Sequence, residues 1–186
     1  MNGSQCGPNM KIKCFIALIV SSIIILLSNP TTAYSQNWGM SLGISTEKVV
    51  FGDVLYRNNT HFFHFGLGYQ LTDAKGEEKS ERKTNYGLST SGSGVKFYTV
   101  DLGYGYEIID TIELFVELSI GQRKYYTNYI DKRFKDGGYH MIDRDEMIAG
   151  LGIGASYSIN SQFKVFASYN SIRKLGVGVR YVFNLY

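Results

Sequence analysis

The stretch Met147 to Ile159, "MIAGLGIGASYSI", alternates without a break from Ala149 onward. Met147, Ala149, Leu151, Ile153, Ala155, Tyr157 and Ile159 share one parity, while Gly150, Gly152, Gly154, Ser156 and Ser158 share the other. A period of two marks a strand, whose successive side chains point to opposite faces. The polar face is the informative one. Glycine and serine make a poor surface to offer bulk water and a good one to line a crowded polar interior.

The same pairing of faces recurs along the chain. Trp38, Met40, Leu42 and Ile44 alternate with Gly39, Ser41 and Gly43, and Phe63, Phe65, Leu67, Tyr69 and Leu71 with His64, Gly66, Gly68 and Gln70. Tyr98 to Ile108 and Ile112 to Ile120 follow the same rule, as do Phe163 to Tyr169 and Leu175 to Phe183. An eighth segment, 48–57, is weaker because Val49, Phe51 and Leu55 blur its alternation. The composition agrees: 15 Tyr, 11 Phe and 21 Gly against 2 Pro favour strands and close backbone approach. A formal net charge of +3 points to neither a nucleic-acid binder nor a polybasic membrane arm.

Before these strands, Lys11 and Lys13 precede the apolar run "CFIALIVSSIIILL", and Ala33 and Ser35 supply small residues for cleavage. The run is shorter than the ~20 apolar residues of a spanning helix. Residues 1–35 therefore read as a secretory signal peptide, with Met10 a candidate for the true start, and residues 36–186 as the exported domain. Cleavage removes Cys6 and Cys14, so no disulfide holds that domain.

The connections fall into two classes. Those near 45–47, 58–60, 110–111, 160–161 and 171–173 are short, whereas 73–94 and 127–145 are long and polar. In an up-and-down meander both long ones open at the same end. Strands of about ten residues with this asymmetry predict an eight-stranded antiparallel up-and-down transmembrane β-barrel. A secreted soluble ligand-binding barrel is the alternative. It would have to pack all the large apolar side chains into a space that eight strands barely enclose.

With its leader, its meander and the terminal "GVGVRYVF", the chain resembles the small outer-membrane barrels of Gram-negative bacteria, the OmpA/OmpX-like group. The resemblance implies an outer-membrane location, lipid and the barrel assembly machinery as partners, no cofactor, no periplasmic domain and no nucleic acid. The family's assembly signal maps onto Val177, Val179, Tyr181 and Phe183, with Phe183 and Tyr186 both candidates for the terminal aromatic.

Parity also sorts the interior. Asp101, Glu107, Glu113, Glu117, Lys164 and Arg180 fall on the polar side and are expected to form a luminal network, with Glu117 and Arg180 the leading pair, because buried charges need partners. Pairing Ile108 with Ile112 sets Gly105 opposite Phe115, Gly103 opposite Glu117 and Asp101 opposite Ser119. Pairing Asn170 with Lys174 and Tyr157 with Phe163 makes Phe166 a lumen filler between Gly154 and Gly178. Residues 74–94 read as a mobile external loop. The segment 127–145 interleaves aromatics with charge, so Tyr129, Arg133, Phe134, Tyr139 and His140 form a candidate contact surface for a surface ligand or envelope partner. The stretch 143–146 with His140 has the ligand types of a metal site and reads better as solvated charge. No His and Ser pair has the spacing of the lipid-modifying barrels, so no catalytic, cofactor or metal residue is assigned.

Overall fold

The computed structural model describes residues 37–81, 89–134 and 136–183; the leader, Met10 and Tyr186 lie outside them. Nine strands are present among these residues: β1 (Asn37–Ser45), β2 (Val49–Asn58), β3 (His61–Gln70), β4 (Glu77–Lys79), β5 (Thr90–Ile109), β6 (Ile112–Ile130), β7 (Gly138–Ser158), β8 (Phe163–Asn170) and β9 (Lys174–Phe183). They fall into two compact units. Among the described residues, 37–73, 93–126 and 143–183 form the larger, and parts of 74–92 and 127–142 the smaller.

The larger unit is a closed barrel. Its strands follow the order β7-β6-β5-β3-β2-β1-β9-β8, and β8 pairs back onto β7 to complete a ring of eight. The first and last strands meet in an antiparallel ladder with Trp38 opposite Phe183 and Ser41 opposite Arg180. The β2–β3 hairpin turns through Asn59 at φ 55°, a left-handed conformation that asparagine tolerates.

The faces are inverted relative to a soluble protein. Leu42 is 60% exposed, Val116 54% and Ile153 64%, whereas Glu113 is 0%, Arg180 1% and Glu117 5% exposed. The apolar wall faces hydrocarbon, and the closed ring leaves no backbone group unpaired at an edge. Aromatic side chains ring the short-turn end of this wall. Trp38 packs on Tyr56, Phe63 on Tyr104, and Phe163, Tyr181 and Phe183 meet in series as tilted and edge-to-face pairs, with centroids 4.9–5.4 Å apart. Val177 and Val179 also point outward.

Segment 48–57 is β2, and its blur has a cause. Val49, Phe51 and Leu55 point inward and are buried, while Val50 and Tyr56 point outward, so this strand is apolar on both faces.

Two boundary expectations need correction. The segment 127–145 is mostly strand, since β6 runs to Ile130 and β7 starts at Gly138, leaving 131–137 as the connection. The described part of 74–94 is also structured: β4 pairs in parallel with β7, Glu77 opposite Tyr139, and β5 begins at Thr90. A strand shows an apolar parity where one face lies against hydrocarbon or an apolar core, and these extensions carry no such alternation.

Leu67 lies near the middle of the apolar wall. Leu67→Arg is expected to destabilise the barrel by about 2–4 kcal/mol, measured by urea unfolding in lipid vesicles; a loss near zero would place that face away from lipid.

Candidate functional site

The lumen is built in layers, because inward residues on one strand are spaced about 7 Å apart. On β6 the order from the short-turn end is Glu113, Phe115, Glu117, Ser119. Glu113 anchors the first layer. Its Oε1 accepts from Arg57 and Lys164, and its Oε2 from Ser156 Oγ at 2.5 Å and Arg180 NH1 at 3.1 Å. Arg57 also donates to Glu107 at 2.7 Å.

A layer of rings follows. Phe51 meets Phe166 edge-on at 5.9 Å, Phe166 meets Phe115 at 6.2 Å, and Phe115 meets His64 at 5.6 Å and Phe62 at 6.5 Å. These rings come from β2, β8, β6 and β3, so the layer crosses the lumen. The Arg180 guanidinium lies 4.7 Å from the Phe62 centroid and 5.4 Å from that of Phe115, within cation–π range.

Arg173 organises the third layer. It donates to Asp101 and to Glu117, each at 2.5 Å, with its guanidinium 4.3 Å from the Phe51 centroid. Asn170 donates to Glu117 at 2.7 Å and to Ser119 at 2.8 Å.

Glycines of adjacent strands give these rings their space. A Cβ on Gly105 would collide with Phe62, one on Gly103 with His64, one on Gly154 with Phe115 and one on Gly178 with Phe166.

The expected network therefore needs three corrections. Glu117 and Arg180 do not pair: Glu117 takes Arg173 and Arg180 takes Glu113. Positions 113 and 117 lie ~13 Å apart along the strand, with the Phe115 ring between them. Phe166 is buried opposite Gly178, but Gly154 is opposite Ser168 and is filled by Phe115 instead. The cause is register, since Tyr157 pairs with Val165 rather than Phe163 across a longer turn. Finally, the space at Gly105 and Gly103 is taken from β3 by Phe62 and His64, not from β6 by Phe115 and Glu117.

Two members of the lumen, Arg57 and Arg173, escape a reading of the sequence. Arg57 shares a parity with Val49, Phe51 and Leu55, whose apolar character hides the inward face of β2. His64 reads as luminal, but parity alone supplies it no partner. Arg173 sits in a turn, where the period of two does not apply.

The smaller unit has its own core. Tyr129 stacks on Tyr139 at 5.3 Å, Phe134 packs on Tyr139 at 5.2 Å, and Lys79 lies 5.3 Å from the Phe134 centroid. His140 Nδ1–H donates to the Lys75 carbonyl at 2.8 Å. Tyr139 and His140 are buried, so they leave the candidate contact surface; Arg133 stays exposed. Strand pairing of 139–141 with β4 is what covers them. Asp145 accepts from Gln122, and Glu146 from Tyr125 and Arg144. Among the described residues no three His, Cys, Asp or Glu side chains gather as a metal site.

The chain is thus a closed transmembrane β-barrel with a layered, charge-paired lumen. No protein-family model and no curated protein matches its sequence. Among solved structures it is similar to Neisserial surface protein A, at 15% identity over 80% of this chain and 94% of that one, TM-score 0.45. It is similar to Ail of Yersinia pestis, solved with the heparin analogue sucrose octasulfate, at 14% identity over 80% and 93%, TM-score 0.43. A major outer membrane protein from Thermus thermophilus aligns at 11% identity over 81% and 100%, TM-score 0.47.

Two outcomes follow from the charges. Glu113→Ala leaves Arg57, Lys164 and Arg180 converging without their carboxylate and is expected to cost about 3–5 kcal/mol in urea unfolding; a cost under ~1 kcal/mol would show that the cluster is not desolvated. In the connection 131–137, hydrogen bonds from Arg133 hold the Asp131 carboxyl below its ordinary value of 3.8. Because the folded value is the lower one, the stabilisation is present above the ordinary value and is lost as pH falls through the depressed one. Carbon-13 titration should place the Asp131 midpoint below that of an Arg133→Ala variant, and equal midpoints would remove the interaction.

Proposed function

We propose that this chain is a non-enzymatic integral outer-membrane protein whose sealed barrel anchors the segments 73–94 and 127–145 at the surface, where they contact a surface ligand or an envelope partner. The observation that carries the reading is the inversion of faces: charge inside at Glu113 and Arg180, bare leucine and valine outside. A soluble carrier keeps the opposite order, with an apolar lumen for its ligand. The rings of Phe51, Phe166, Phe115 and Phe62 cross the lumen and leave the barrel a plug rather than a conduit.

The surroundings of the histidines support a role without chemistry. His61 hydrogen-bonds Tyr104 on the outer wall at 2.6 Å, His64 is enclosed by the ring layer, and His140 is held by the Lys75 carbonyl. Contact with a partner then falls to exposed polar positions of the smaller unit, Lys132, Arg133 and Asp136 among them.

Cell fractionation and planar-bilayer recording test the proposal. The full chain should fractionate with the outer membrane, migrate differently in detergent gels before and after heating, and show no steady open conductance. Recovery from the soluble fraction, or a stable ohmic channel, would overturn it.

A further inference from the structure

Several buried polar atoms have no hydrogen-bond partner among the described residues, Gln70 Oε1, Asp101 Oδ1 and Ser158 Oγ singly and five others on four residues that gather in the lumen. Ser41 Oγ, Asp53 Oδ1, both ring nitrogens of His64 and Arg180 Nε are buried and have no partner. Three of these residues lie side by side, because Ser41 on β1 is opposite Asp53 on β2 and opposite Arg180 on β9. His64 reaches the same place from β3, with Nδ1 3.8 Å from Asp53 Oδ2, beyond hydrogen-bond length. Its Nε2 is turned to the wall over Gly103, which leaves Nδ1 as the nitrogen facing the group.

Charge bookkeeping isolates the same spot. Arg57, Lys164, Arg173 and Arg180 each bond a carboxylate among Glu107, Glu113, Asp101 and Glu117. Among the described residues Asp53 makes no ion pair with a lysine or arginine, and its Oδ2 lies 3.8 Å from the His64 ring. An unpaired buried polar group forfeits the hydrogen bonds it would make to water, so a cluster of them calls for an occupant.

We propose that ordered water occupies this site and bridges Ser41, Asp53, His64 and Arg180. The chemistry of the group selects the ligand. Arg180 Nε–H only donates, the Asp53 carboxylate only accepts, and the Ser41 hydroxyl does both. A metal cation would be repelled by the Arg180 guanidinium and an anion by Asp53, while an apolar molecule would satisfy none of them. Water both donates and accepts, and buried waters serve such mixed groups with 2–4 hydrogen bonds each. The water also gives Arg180 a second anchor: NH1 is held by Glu113, and Nε by the hydrated site.

A crystal structure of the full chain showing ordered solvent, paired with oxygen-17 relaxation dispersion in micelles, tests the site. Density for water should lie within hydrogen-bond distance of at least three of Ser41 Oγ, Asp53 Oδ1, His64 Nδ1 and Arg180 Nε. Ser41→Val should lower the number of long-lived internal waters by about one, with heat-modifiable migration retained. A dry site in which these side chains bond one another overturns the proposal, as does an unchanged dispersion amplitude in folded Ser41→Val. A bound ion in place of water overturns the choice of ligand. The crystallographic arm uses the unsubstituted protein, so it decides the matter even where the variant fails to fold.

Discussion

Closure of the β1–β9 ladder is the constraint on which the rest of the molecule depends. Hydrocarbon offers a backbone N–H or C=O no partner, so a sheet enters it only as a ring. Here the ring closes where Trp38 to Ser45 pairs with Gly176 to Phe183. Closure also fixes what the inward side chains must do. Eight strands enclose a narrow lumen, and everything that points into it must fit and be satisfied.

Two devices meet that demand. Glycines opposite or beside the large residues, such as Gly178 at Phe166 and Gly105 at Phe62, let rings lie against bare backbone. Carboxylates placed between cations then absorb the charge, with Glu113 shared among Arg57, Lys164 and Arg180, and Arg173 bridging Asp101 and Glu117. Each of these charges is stabilised by others from distant strands, so the network holds the ring in register as well as filling it. The aromatic layer lies between the two ionic layers.

The extensions of β5, β6 and β7 answer to a different solvent. Their residues, such as Gln122 to Asn128, show no apolar parity, and polar contacts such as Tyr98 to Gln122 and Tyr125 to Glu146 replace it. A strand in water is specified by its neighbours rather than by its own pattern. That is why a reader of the sequence sees loops there, and why Tyr139 and His140 look like surface residues until β4 is found beside them.

The sequence by itself determined the barrel: the period of two set each strand, the glycine and serine parity set its inward face, and the connection lengths set the meander. Those are local properties, readable one strand at a time. Partner choice inside the lumen is not local. That Arg180 meets Glu113 and not Glu117, that Phe115 fills Gly154, and that the turn residue Arg173 reaches the interior all depend on register between strands far apart in the chain. A shift of two residues in one hairpin leaves every parity unchanged and changes every neighbour, so only the closed tertiary structure decides it.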